Sequence, residues 1–123
     1  MRALVVDDSK ANRLLLQRFL GEAGFETVEA ENGSDGLWYL NRIGPVELIT
    51  VDFHMPGMNG VEFVRAVRSQ RRYSDVPMIM ITSEKSPKLA VDAFGAGVDE
   101  LLIKPFTKET ILEKLGSMRL TPR

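Results

Sequence analysis

Four apolar runs in this 123-residue sequence each stop at residues of a type that does chemistry. Ala3 to Val6 ends at Asp7 and Asp8, Leu48 to Val51 at Asp52, Val76 to Ile81 at Thr82 and Ser83, and Leu101 to Ile103 at Lys104. Brought together, these ends would form a cluster of three carboxylates, a hydroxyl and an ammonium. Carboxylates held within a few ångströms repel one another, so at neutral pH they need raised pKa values or a cation. Oxygen ligands without His or Cys suit a hard ion, and a few carboxylates with open positions suit Mg²⁺. Phosphoryl transfer then gives every member a use. One carboxylate attacks phosphorus, a metal and the lysine neutralise the phosphoryl oxygens, and the hydroxyl with backbone N–H groups holds the third oxygen. Asp52, alone at the end of its run, is the candidate nucleophile. Taken singly each residue has a plainer use: Asp52 could cap a turn and Asp8 a helix, Thr82 could end a strand, and Lys104 could snorkel from a sheet edge.

Whether these residues meet depends on the elements that carry them. Strands are expected at Ala3 to Val6, Glu26 to Ala30, Leu48 to Val51, Val76 to Ile81 and Leu101 to Ile103. The alternation of polar and apolar residues in the second marks a sheet edge, whereas the third and fourth are apolar enough to be covered on both faces. Between them, helical spacing predicts Lys10 to Ala23, with Leu15, Leu16, Phe19, Leu20 and Ala23 inward, and Ser34 to Arg42, with Leu37 and Leu40 inward. Further helices are expected at Val61 to Ser69, Ser86 to Gly95 and Lys108 to Met118, the last capped by Thr107. Arg119 to Arg123 is expected to be a frayed tail on one domain spanning residues 1–118. Five strands alternating with five helices give an α/β domain with a parallel sheet and right-handed crossovers. The natural doubly wound order for five units is the flavodoxin-like 2-1-3-4-5. That order sets the first and third strands side by side, about 4.8 Å apart, and gathers the carboxylates near the topological switch point.

Composition narrows the alternatives. Sixteen Lys and Arg against 17 Asp and Glu leave a net charge of −1, so no global field steers the chain to nucleic acid or a membrane. With no cysteine there is neither a disulfide framework nor thiolate chemistry, which fits a reducing cytoplasm. Apolar runs are far shorter than the roughly 18 to 20 residues of a membrane span.

Asp7-Asp8, Asp52 with Met55-Pro56-Gly57-Met58-Asn59-Gly60, Thr82-Ser83 and Lys104-Pro105-Phe106 together resemble the receiver domain of two-component response regulators, over essentially the whole chain. The resemblance implies that Asp52 accepts a phosphoryl group from a phosphohistidine on a sensor kinase or phosphotransfer protein. It implies Mg²⁺ ligation by Asp8, Asp52 and the backbone carbonyl of His54, with Asp7 acting through a water. Thr82, preferred over Ser83, would bond a phosphoryl oxygen and Lys104 another, and the Lys104–Pro105 bond would be cis. His54 and Glu84 stand where receivers tune water access to the aspartyl phosphate. One departure matters: Leu101 replaces the aromatic that the family often carries three residues before the lysine, so the usual aromatic switch is in doubt and leucine is expected to pack and stay. The chain resembles the single-domain, CheY-like members, which are signalling switches rather than turnover enzymes; a receiver cut from a longer regulator is the alternative.

Partner surfaces are read from what falls off the apolar stripes. Leu14, between Arg13 and Arg18, is a candidate docking point for the phosphodonor and equally an ordinary surface leucine. Of Trp38 and Tyr39, one is expected on the margin of the core and the other in solvent. Arg65, Arg68, Arg71 and Arg72 are expected to form a solvated face, without the aromatic interleaving of a nucleic-acid site. The target is expected to bind around the fourth helix, fifth strand and fifth helix. An FMN carrier on the same fold is disfavoured by the two negative charges of Asp7-Asp8 where a phosphate would sit. A degenerate interaction module is disfavoured because no member of the cluster is missing.

Overall fold

The computed structural model describes residues 1–120. Its elements in chain order are β1 (Arg2–Val6), α1 (Lys10–Glu22), β2 (Glu26–Ala30), α2 (Gly33–Leu40), β3 (Leu48–Asp52), α3 (Gly60–Arg68), β4 (Met78–Thr82), α4 (Pro87–Ala96), β5 (Glu100–Ile103) and α5 (Lys108–Ser117). The strands form one parallel sheet in the order β2-β1-β3-β4-β5, the expected flavodoxin-like arrangement. β2 lies at one edge, as its mixed pattern requires, and every residue of β3 and β4 is buried.

Two apolar layers sandwich the sheet. Leu4, Val6, Ile49, Val51, Met78 and Met80 point to one face, where Leu40, Phe63, Val64, Val67, Leu89 and Ala93 cover them from α2, α3 and α4. Ala3, Val5, Leu48, Ile79, Ile81 and Leu102 point to the other, covered by Leu16 and Leu20 of α1 and Ile111 and Leu115 of α5. Alternation along each strand therefore decides which side of the sheet each terminal side chain leaves from.

Helix starts follow local chemistry. Ser9, Asn32, Asn59, Ser86 and Thr107 each accept a hydrogen bond from a backbone N–H of the first turn, satisfying a donor the helix itself leaves unpaired. Gly97 ends α4 in the left-handed region at φ 119°, a conformation glycine adopts without the Cβ clash.

The differences from the expected elements have physical causes. β4 begins at Met78 rather than Val76, because Pro77 has no N–H to give the ladder. Leu15 is not inward: 43% of it is exposed, since the buried stripe of α1 runs through Leu16, Leu20 and Ala23 and is completed at its start by Arg13. Trp38 is the solvated member of its pair and Tyr39 the marginal one. The four arginines do not make one solvated face. Arg68 is mostly buried, donating to the carbonyls of Gly97 (3.1 and 2.8 Å) and Tyr73 (2.9 Å) and pairing with Asp99 at 3.1 Å. Of the expected frayed tail, Leu120 packs on the α1–α5 core and its N–H bonds the Leu115 carbonyl at 2.7 Å, while residues 121–123 lie outside the described residues. No helix among the described residues is long and apolar enough to cross a membrane.

Candidate functional site

Register places the chemistry. Val6 lies opposite Val51, so Asp7 and Asp52 follow at one level on adjacent strands. Asp52 itself lies opposite Ile81, and Thr82 opposite Ile103, so Thr82 and then Lys104 each stand one residue further out. By strand alternation Asp7, Asp52 and Lys104 leave the sheet on the α1–α5 side, and Thr82 leaves on the α2–α4 side. The space beyond Asp52 is thus flanked by an ammonium on one side and a hydroxyl on the other.

The distances bear out a single cluster. Asp7, Asp8 and Asp52 each offer a carboxylate oxygen within 4.8 Å of the others. Lys104 Nζ lies 3.3 Å from Asp52 Oδ2 and 3.7 Å from Asp7 Oδ2. Asp7, Asp52 and Thr82 are buried, and Asp8 is exposed. Burial raises the Asp7 pKa above the usual carboxylate value; the N–H of Ser9 opposes that, Asp52 adds to it, Lys104 opposes it and Asp8 adds again. A divalent cation would relieve the burial and the like-charge repulsion together. The donor set is all oxygen, so it fits a hard ion.

Around the carboxylates, Asp8, Phe53, His54, Met55, Pro56 and Asn59 border an open depression of about 570 Å³. Thr82 Oγ1 accepts from the N–H of Glu84 at 3.1 Å, which leaves its own proton to donate. Ser83, the rival hydroxyl, is exposed and lines a groove of about 380 Å³ with Asn12, Leu15, Lys104, Pro105 and Phe106. His54 Nε2 and Glu84 Oε2 approach to 3.3 Å on the rim, joining the loop after β3 to the loop after β4. Leu101 is half-buried against the α2–α4 core, and the Lys104–Pro105 bond is cis, both as expected. Gly60 is required by space, since a Cβ there would fall 2.6 Å from the Asp52 carbonyl oxygen and 2.8 Å from Phe53 Cα.

Leu14 is 51% exposed, and of its two expected arginine neighbours Arg18 is exposed while Arg13 turns inward. The Arg13 side chain is only 9% exposed; Nη1 donates to the Asp7 carbonyl at 2.7 Å and Nε to Glu29 Oε1 at 3.1 Å. Sequence reasoning missed this residue at the site. Its signal was position: Arg13 precedes Leu16 by three residues on the buried stripe.

Comparison with known proteins agrees with this geometry. Residues 3–116 match the family model described as "Response regulator receiver domain". The chain is 39% identical over 116 residues to a chemotaxis protein CheY homolog of Campylobacter jejuni, covering 94% of this chain and 89% of the relative. It is equally 39% identical to chemotaxis protein CheY1 of Helicobacter pylori, covering 94% of each. Among solved structures, chemotaxis protein CheY4 of Vibrio cholerae superposes with a TM-score of 0.89 at 36% identity, over 94% of this chain and 96% of that one. With motif, sheet order, site geometry and all three comparisons in agreement, the chain belongs to the response regulator receiver domain family, the phosphoaccepting switches of two-component signalling.

Proposed function

We propose that Asp52 is the phosphoacceptor and that its donor is a phosphohistidine on a sensor kinase or histidine phosphotransfer protein. The observation that carries this reading is the buried Asp52 carboxylate held 3.3 Å from Lys104 Nζ with two further carboxylates beside it. An Asp52 oxygen attacks phosphorus as the P–N bond breaks, and the imidazole leaves with the bonding electron pair and takes up a proton. Lys104 neutralises one phosphoryl oxygen, and the Thr82 hydroxyl donates to another. Asp8, Asp52 and the backbone carbonyl of His54 would hold Mg²⁺, with Asp7 acting through a water, and the ion when bound screens charge on the phosphoryl oxygens. Hydrolysis returns the free carboxylate when water attacks phosphorus and the O–P bond breaks. The His54–Glu84 bridge spans the two loops beside Asp52, where it and exposed Ser83 tune how readily that water arrives.

The donor docks on the exposed α1 face that carries Leu14, beside the groove lined by Asn12, Leu15 and Phe106. Output passes to a protein target on the α4–β5–α5 surface, where Val91 is 71% and Phe94 48% exposed. The matched relatives are named as chemotaxis proteins, which supports chemotaxis as the process served; a cytoplasmic place fits the cysteine-free sequence.

The test is intact mass after incubation with acetyl phosphate, with and without Mg²⁺, on the wild type and on Asp52→Asn. One added phosphoryl group is expected only for the wild type with Mg²⁺. Uptake by the variant, or uptake independent of a divalent cation, overturns the assignment.

A further inference from the structure

Asp8 differs from the other members of the acidic cluster in having nothing to hold its side chain. Asp7 Oδ1 accepts the N–H of Ser9 at 2.8 Å, and Asp52 pairs with Lys104. Among the described residues, Asp8 makes no side-chain hydrogen bond and no ion pair, so its carboxylate goes where the backbone sends it. That direction is set by the peptide plane joining Asp7 to Asp8. One end of the preceding linkage is fixed, because the Asp7 N–H donates to the Ala30 carbonyl at 3.1 Å, one rung past the β1–β2 ladder. The carbonyl of the Asp7–Asp8 peptide is bonded by Arg13 Nη1 at 2.7 Å.

Arg13 is built for this. Its guanidinium reaches back from the second turn of α1 across the loop, and a planar fork satisfies a carbonyl with one arm and a carboxylate with another. Nε takes Glu29 Oε1 at 3.1 Å, and Nη2 lies 4.0 Å from Glu31 Oε1. Burying a guanidinium is costly unless its donors are paired, and these partners on and beside β2 supply the pairing. Removing the positive charge of Arg13 would by itself favour a cation at the cluster, so a loss of cation affinity in its absence reports the geometry that Arg13 holds.

We propose that Arg13 is a positioning residue for cation binding: by fixing the Asp7–Asp8 peptide plane it aims the Asp8 carboxylate at the ion shared with Asp52. This rests on the proposed metal site. Residues that orient ligands from behind commonly change metal affinity by about 10- to 100-fold when removed.

The experiment is calorimetric titration of Mg²⁺ into the full chain, with thermal unfolding of each variant alongside. Arg13→Met is expected to weaken Mg²⁺ by about 10-fold or more, and Arg13→Lys, which can still reach the carbonyl with one N–H, by less. Arg68→Met removes a comparably buried arginine bonded to carbonyls far from the site; it is expected to lower the unfolding temperature and leave Mg²⁺ affinity alone. In an Asp8→Asn background, Arg13→Met should cost no further affinity. Arg13→Met that loses thermal stability while binding Mg²⁺ as the wild type does overturns the proposal, as does a full additional loss in the Asp8→Asn background. If Arg13→Met does not fold, Arg13→Gln, whose side chain ends where Nε of Arg13 lies and so falls short of the carbonyl, is titrated in its place with the same two outcomes. A wild type that takes up no Mg²⁺ fails at the first titration, before any variant is compared, and removes the metal site itself.

Discussion

At the scale of the residue, the site is a set of charges kept closer than their own repulsion allows. Asp7 is the clearest case: buried, it holds a proton more tightly folded than unfolded. The sign of the consequence follows from linkage. A folded pKa above the unfolded one, about 3.8, means that ionising the group costs folding stability, so its contribution falls as pH rises from the unfolded value through the raised folded one. Asp7→Asn removes this cost. Without Mg²⁺ at neutral pH the variant should unfold at a higher temperature than the wild type, and the difference should shrink as pH is lowered toward the unfolded carboxylate value. Mg²⁺ should reverse the order by stabilising the wild type more, since a ligand bound only to the folded state adds stability. Thermal unfolding against pH, with and without Mg²⁺, checks both halves. Equal unfolding temperatures at neutral pH would mean that Lys104, 3.7 Å away, already offsets the burial.

At the scale of the element, strands end in register and helices begin hard against them. α3 starts so close to the end of β3 that Gly60 donates its N–H to the Phe53 carbonyl at 2.9 Å and leaves no room for a Cβ. The obstructing atoms are backbone, which cannot rotate away. Gly60→Ala should therefore destabilise the domain by about 2 kcal/mol, the scale of overpacking in a tight core. It should also push the loop carrying His54 away from Asp52, weakening Mg²⁺ along with stability; denaturant unfolding and a Mg²⁺ titration measure the two. The same scale explains what the sequence made legible. Apolar runs that stop at Asp7, Asp52, Thr82 and Lys104 mark strand ends, and one sheet order brings those ends together, so the cluster could be read without coordinates. Arg13 could not, because its burial depends on a carbonyl of the Asp7–Asp8 peptide and on Glu29 one strand away. Arg68 escaped for a similar reason: Gly97 and Asp99 are distant in sequence, and with nearby Tyr73 they appear as a clamp only once α3 packs on α4. Leu15 was misplaced because helical spacing identifies a stripe but not its edges, and the groove beside Phe106 takes the flank.

At the scale of the whole molecule, the proposed output surface requires that a change at Asp52 reach α4, and the packing says which end of α4 can respond. Its C-terminal end is held: Arg68 donates twice to the Gly97 carbonyl, and Asp99 joins Arg68 to the N–H of Met78 at 2.9 Å. Its N-terminal end is held locally by the Ser86 cap, a few residues past Thr82. Thr82 in turn holds the N–H of Glu84 through its hydroxyl oxygen. Drawing that hydroxyl toward a phosphoryl oxygen pulls on the Glu84 amide and so on the loop leading to Ser86. Leu101 packs in the α2–α4 core with no polar tip to favour a second rotamer, so the expected carrier of the signal is the loop and not this side chain. A shift from 1:99 to 99:1 needs a differential of about 5.5 kcal/mol, a load that a covalent dianion bonded to Lys104, Thr82 and a cation can bear. Hydrogen exchange with Mg²⁺ and beryllofluoride, a stand-in for the bound phosphoryl group, should change protection from Glu84 through the first turn of α4 and leave the turn before Gly97 as it was. Leu101→Ala should keep that pattern while lowering stability by about 2 kcal/mol. Changes confined to the loops of Asp7, Asp8 and Asp52 would mean that the site closes without informing α4, and a pattern abolished by Leu101→Ala would return the switch to the strand.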